Sequence, residues 1–211
     1  MKEQFSARTR SRPQQISGAL DRPVLLRDSQ GYIRGECIQA VLDWLQSIKP
    51  GFRCPEFYIC SARADGLDVE KVWASLKRKV ERVYGDWSIV GTMVNLGNVH
   101  WAALVICRGD RAVEYYDPFG TPPQPKVREL LEVLALRVGR NNGNGAPFGV
   151  RVNKAQHQTS LTECGLHSLV FVYRRSMNKR WFDCTAGSSG SMKALQAWSK
   201  VIFSGEALFN E

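Results

Sequence analysis

Cys164, His100 and Asp117 are the residues whose types and positions could do chemistry together. Cys164 follows a polar stretch, Gln156-His157-Gln158-Thr159-Ser160-Leu161-Thr162-Glu163, and precedes an apolar run over residues 165–173 (GLHSLVFVY). A run apolar almost all round reads as a buried helix. A helix N-terminus stabilises a thiolate through its free N–H groups and its dipole, and a nearby imidazolium would favour the thiolate further. The competing reading is an inert buried thiol. That is how most of the other cysteines (37, 54, 60, 107 and 184) read, because none has a comparable setting.

Three histidines, His100, His157 and His167, limit any mechanism that needs an imidazole. His100 stands where a polar stretch (Asn95, Gly97, Asn98) enters the apolar run HWAALVI. Asp117 stands at the end of the next strand-like run, AVEYY, ahead of Pro118-Phe119-Gly120. Between the runs, Arg108-Gly109-Asp110-Arg111 reads as a tight hairpin turn. With Gly109 and Asp110 at its tip, Arg108 pairs with Arg111 and Asp117 falls opposite Ala102. His100 and Asp117 then share a face as diagonal neighbours. A slip of one residue would put them on opposite faces. A carboxylate in that place would hold one ring nitrogen, fix the tautomer and favour the imidazolium. The competing reading is a histidine at a strand end and an aspartate that only opens a turn.

Gln158, six residues before Cys164, could donate its side-chain amide to an oxyanion together with the Cys164 N–H. Gln156 competes for that part, and either could be a loop amide bonded to backbone. Cys164-Gly165-Leu166-His167 also has the spacing of a metal-ligand pair, but no second close pair accompanies it, so no metal site is expected.

The elements that must position these residues follow from hydrophobic period. Cys37, Ala40, Val41, Trp44, Leu45 and Ile48 form one helical stripe, ended by Pro50-Gly51. Asp68 is the N-cap expected for a second helix, with Val69, Val72, Trp73, Leu76, Val80 and Val83 inward and Lys71, Arg78, Lys79 and Arg82 outward. Strands are expected over residues 88–94, 100–106, 112–116 and 149–153. Helices are expected over 125–138, 165–173 and 191–203. Helices, then a sheet with a hairpin, then helices is the α+β order.

Composition agrees with one such unit. The chain has 211 residues, and 44% hydrophobic residues is enough to build a core rather than a disordered chain. No apolar run is long enough to span a bilayer, and the first fifteen residues, MKEQFSARTRSRPQQ, lack the apolar region of a secretory signal. The six cysteines are therefore read as thiols in a reducing compartment. Lys and Arg number 29 against 20 Asp and Glu, a net charge of +9, which fits either an anionic partner or plain solubility. Lys2, Arg8, Arg10 and Arg12 lie in an aperiodic stretch over residues 1–20 that reads as a basic arm.

VNLGNVHWAALVI, VEYYDPFG and QTSLTECGL, in that order, resemble the His, Asp and Gln…Cys motifs of the ubiquitin-like-protein proteases. This superfamily of cysteine proteases includes the SUMO proteases and the adenovirus maturation protease, adenain. Each motif is weak alone; their order, spacing and flanking residues agree. Residues 128–134 (RELLEVL) and 191–203 resemble the family's later helices. Tyr32-Ile33-Arg34-Gly35 resembles its W-L-N-D motif loosely, with Tyr where Trp is usual.

The resemblance implies a papain-like α+β fold of the SUMO-protease and adenain type. In it a central, mostly antiparallel sheet is flanked by helices, the nucleophile stands at the head of a buried helix, and residues 21–211 form one catalytic domain. It implies His100 as base and acid, Asp117 as its orienter, Cys164 as nucleophile, and Gln158 with the Cys164 N–H as oxyanion hole. Trp101 and Tyr32 would bind substrate, and no metal is required. The expected partner is a protein cut after Gly-Gly or a related small-residue motif, either a viral precursor or a ubiquitin-like modifier. Resemblance to adenain implies DNA or a peptide as activator, with nucleic acid held by Lys71, Arg78, Lys79 and Arg82. No membrane partner is expected, and the location implied is intracellular and reducing: host cytoplasm, nucleus or virion. A deSUMOylase or deubiquitinase-like isopeptidase, and a modifier-binding or acyl-transferring relative, stay open as alternatives.

Overall fold

The computed structural model describes residues 21–55, 59–61, 67–81, 87–97, 99–141, 145–185 and 192–203. The arm at 1–20 and Arg82 lie outside these residues, as do the side chains of Arg78 and Lys79.

Six helices and six strands are described. In chain order they are α1 (Gly35–Ile48), β1 (Phe52–Arg53), β2 (Ile59–Ser61), α2 (Val69–Glu81), β3 (Ile89–Leu96), β4 (His100–Cys107), β5 (Ala112–Tyr116), α3 (Pro125–Asn141), β6 (Gly149–Val152), α4 (Cys164–Ser176), α5 (Trp181–Thr185) and α6 (Met192–Ile202). The expected helices and longer strands are present. Asp68 caps α2 as read, its Oδ1 accepting the Lys71 N–H at 3.0 Å. Lys71 in turn pairs with the Asp68 carboxylate at 3.2 Å on the surface. β1, β2 and α5 had no signal, because two, three and five residues are too short to display a period.

β4 is the middle of the molecule, and its alternation explains the layers. Trp101, Ala103, Val105 and Cys107 point into one core, with α1, α4 and α6. Ala102, Leu104 and Ile106 point into a second, with α2 and α3. Both faces are thus covered, as a continuous apolar strand requires. α4 is buried almost all round within the first core.

The sheet is mixed. β3–β4 and β4–β5 are antiparallel, as expected for its centre. β1 and β2 run parallel to β3, and β6 runs parallel to β5. The parallel edge at β6 follows from its connection: α3 carries the chain back to the starting end of β5, so the next strand runs the same way.

A buried ion cluster joins β5 to the far end of α4. Arg175 Nε meets Glu114 Oε2 at 2.7 Å, and Arg175 Nη2 meets Glu114 Oε1 at 2.9 Å and Asp110 Oδ2 at 2.8 Å. Arg151 adds contacts to Glu114 and Asp110 at 3.2 and 3.0 Å. No helix among the described residues is long and apolar enough to cross a membrane.

Candidate active site

The hairpin has the register read from its turn. Ala103 pairs with Tyr116 and Cys107 with Ala112, and the Arg111 N–H donates to the Arg108 carbonyl. His100 and Asp117 therefore reach the same face at the same end of the sheet. His100 Nε2 lies 2.9 Å from Asp117 Oδ2. The second His100 nitrogen is left open by this bond, and Cys164 acts on the same ring. Cys164 arrives there because it is the first residue of α4, which packs across β4.

The imidazole is tuned by these two partners. Burial alone would lower its affinity for a proton. The hydrogen bond and negative charge of Asp117, together with the interaction with Cys164, outweigh burial and raise its pKa from 6.5 to about 9. Phe119 stacks on the ring, with centroids 5.3 Å apart, and closes that side.

Asp117 is itself held on all sides. Its Oδ1 accepts the Phe119 N–H at 2.8 Å, which leaves Oδ2 for His100. Its backbone N–H and carbonyl are both bonded to the buried Asn153 side chain, at 2.7 and 2.8 Å. The turn that follows needs a glycine. Gly120 has φ +71°, and a Cβ there would sit 2.7 Å from the Lys154 carbonyl oxygen. Gly120→Ala is expected to cost about 2 kcal/mol or more and to lower activity with it, checked by urea denaturation beside an activity assay.

The same turn carries the loop before the nucleophile. The Pro118 carbonyl accepts the N–H groups of His157 and Gln158 at 2.8 and 3.0 Å. The structure also separates the two candidate glutamines. Gln156 is exposed, and its amide donates to the Gln158 carbonyl at 2.9 Å. Gln158 is 0% exposed, and its Nε2 donates to the Ser160 carbonyl. An amide nitrogen has two hydrogens, so one remains for another acceptor. His157 Nε2 faces the Thr185 carbonyl at 3.2 Å, so that nitrogen carries the proton and the Tyr116 hydroxyl donates to Nδ1 at 2.8 Å. His167 is buried in α4; burial and the nearby His157 lower its pKa to about 4.

Cys164 is 0% exposed in this structure. Beside it, Ile33 Cβ and Trp101 Cδ1 lie 3.4 and 3.5 Å from where a Cβ on Gly165 would stand. From there a groove of about 310 Å³ opens between Tyr32, Arg34, Glu36, Asn95, Val99 and Trp101. Tyr32 and Trp101, far apart in sequence, are thus brought to one groove. Glu163, the residue before Cys164, pairs with Arg27 Nη2 at 3.1 Å. Sequence reasoning missed Asn153 and Glu163. The only trace of Asn153 was a polar residue ending the strand-like run GVRVN.

Comparison with known proteins follows this geometry. A family model described as the Ulp1 protease family, C-terminal catalytic domain, matches residues 64–181, a span holding His100, Asp117, Gln158 and Cys164. A protein of Acanthamoeba polyphaga mimivirus named "Putative thiol protease R355" is 26% identical over 104 residues, 49% of this chain and 33% of that protein. The chain thus matches only a third of the length of that viral relative. Among solved structures, the African swine fever virus (ASFV) protease aligns with a TM-score of 0.63 and 18% identity, over 87% of this chain and 71% of that one. The yeast Ulp1 protease domain, solved in complex with SMT3, the yeast ortholog of SUMO, aligns with a TM-score of 0.59 and 15% identity, over 81% and 76%. The Ulp1-like SUMO protease domain of Chaetomium thermophilum aligns with a TM-score of 0.59 and 14% identity, over 84% and 73%. At these identities the solved structures establish a common fold.

Proposed function

The chain belongs to the Ulp1 protease family, and from that premise we propose that it is a thiol protease in which Cys164, His100 and Asp117 form the catalytic triad. The observation that carries the proposal is the imidazole of His100, hydrogen-bonded to Asp117 at 2.9 Å through Nε2, with Cys164 at the head of α4 acting on the same ring.

The reaction runs in two halves. His100 takes the Cys164 proton, and the thiolate attacks the scissile carbonyl carbon to give a tetrahedral oxyanion. The Cys164 N–H at the head of α4 and the second amide hydrogen of Gln158 bond that oxyanion. His100 returns its proton to the departing amine, leaving a thioester on Cys164. Water then gives a proton to His100 and attacks the thioester, and the acid product leaves as the thiol is restored. Asp117 keeps the imidazole oriented throughout and favours its charged form. Because Cys164 has no exposed surface, substrate entry must displace the side chains that cover it.

The substrate chain runs through the groove between Tyr32 and Trp101, with Gly-Gly or a related small-residue motif before the cut. The substrate is a viral precursor protein, a reading supported by the viral relative. Residues 21–211 form the catalytic domain and residues 1–20 a basic arm. The enzyme works in a reducing, intracellular compartment, where its thiol survives, and DNA bound by Lys71, Arg78, Lys79 and Arg82 is its activator.

One experiment separates these claims. The protein is incubated with Gly-Gly peptides, with precursors of ubiquitin and SUMO, and with each of these plus DNA over a range of salt. The proposal expects Gly-Gly peptides to be cut by the native chain and not by Cys164→Ala, with DNA stimulation that fades steeply with salt. Cleavage of SUMO or ubiquitin alone would move the substrate to a modifier. Stimulation that ignores salt would remove DNA. No cleavage by either protein would defeat the protease reading.

A further inference from the structure

We propose that Asn153 is a positioning residue for the reaction, holding Asp117 by its backbone so that the carboxylate meets His100 while the adjoining Pro118 carbonyl meets the Gln158 loop. This rests on the reading of His100 and Asp117 as part of the triad.

The argument starts from where the β5–β6 ladder stops. Its last pair is Tyr115 with Val152, and one more backbone bond follows, from the Asn153 N–H to the Tyr115 carbonyl at 3.2 Å. Beyond that the backbones stop pairing, and the Asn153 side chain takes over. Its Oδ1 accepts the Asp117 N–H at 2.7 Å, and its Nδ2 donates to the Asp117 carbonyl at 2.8 Å. A primary amide offers the same donor and acceptor as a peptide, so it continues the ladder by one rung without a strand. A third bond, Nδ2 to the Ala155 carbonyl at 3.1 Å, fixes which end of the amide is nitrogen, since an oxygen in that place would face two carbonyl oxygens.

The consequence is a defined origin for the catalytic carboxylate. With both backbone groups of Asp117 held, its side chain keeps little freedom, and Phe119 N–H and His100 occupy its two oxygens. Asn153 is 3% exposed, so water does not readily replace its bonds, and deleting them leaves the Asp117 N–H unpaired and its carbonyl held by the Gly120 N–H alone. The Pro118 carbonyl, one residue on, is the acceptor for His157 and Gln158. One amide therefore supports the acid directly and the oxyanion loop through it.

The test combines a titration with a mutant cycle. Histidine side-chain NMR follows protonation of His100 in the native chain and in Asn153→Ala, and kcat and KM are measured on a Gly-Gly peptide. Among the described residues, Asp117 beyond β5 and Cys164 at the head of α4 are the titratable groups that act on His100. The His100 midpoint is expected to fall from about 9 toward 6.5. The value of kcat is expected to drop on the order of 10-fold to 100-fold, with KM little changed. Placed on Asp117→Asn, the same substitution should cost less than about twofold, because it acts through Asp117. Asn153→Ser is a smaller change, keeping a hydroxyl for the Asp117 N–H, and should shift the midpoint the same way. An unmoved His100 midpoint in either variant, or an undiminished loss on Asp117→Asn, would overturn the proposal. The titration needs no turnover, so a native chain that cuts nothing would defeat the protease reading while still deciding this one.

Discussion

His100→Ala is expected to lower kcat/KM by on the order of 10,000-fold or more, with the fold retained. The size follows from the two parts proposed for the ring, as base toward Cys164 and as acid toward the leaving amine. The fold should survive because His100 sits at the start of β4 with its side chain partly open, outside both hydrophobic cores. Asp117→Asn should leave a reduced rate and a changed pH profile. In the native protein the imidazolium persists until its pKa of about 9, so the alkaline limb of kcat/KM belongs there. Removing the Asp117 charge should move that limb down toward 6.5, the unperturbed value. Stability follows the same proton. A pKa raised on folding contributes stability that is complete below 6.5 and is lost as pH rises through about 9. An alkaline limb that stays in place in Asp117→Asn would mean that the carboxylate does not hold the imidazolium.

Glu114→Ala should be the most damaging change away from the site, at about 3–5 kcal/mol of folding stability. Its carboxylate is fully buried, and so, nearly, is the Arg175 guanidinium that it meets through two bonds. Deleting Glu114 removes two of the bonds of a buried cation and its buried counter-charge, leaving it the half-exposed Asp110 carboxylate and the Lys179 carbonyl. Removing both charges with Glu114→Leu and Arg175→Met should recover most of the loss, because desolvation offsets much of what such a pair contributes. Urea denaturation of the single and double variants measures this. The residual activity of folded Glu114→Ala should be close to native, since Arg175 stands eleven residues along α4 from Cys164, about 16 Å. Equal stability of Glu114→Ala and native protein would show that Arg175 finds other partners.

Those two clusters differ in how far they could be read beforehand. The His100–Asp117 pair was legible because a tight turn and a period of two convert sequence positions into faces, and the observed register agrees with that conversion. The head of α4 was legible because a long apolar run can hardly avoid being a buried helix. The Arg175–Glu114 pair was not legible. Glu114 sits in AVEYY as an ordinary alternating residue, and its partner is 61 residues away. Asn153 was hidden for the same reason, since its bonds to Asp117 span 36 residues and come from a side chain acting as backbone. The different settings of Gln156, exposed, and Gln158, buried, also waited on the fold, since spacing alone does not separate two amides two residues apart. The parallel edge formed by β1 and β2 rests on strands of two and three residues, too short to announce themselves.

The central claim is that Cys164 is the nucleophile and that His100 activates it. A Gly-Gly peptide ending in a vinyl sulfone tests this most directly, with the adduct mapped by mass spectrometry in the native chain and in His100→Ala. The account predicts one adduct, on Cys164, formed by the native chain and lost in His100→Ala. An adduct on another cysteine, or equal labelling of Cys164 without His100, would contradict it.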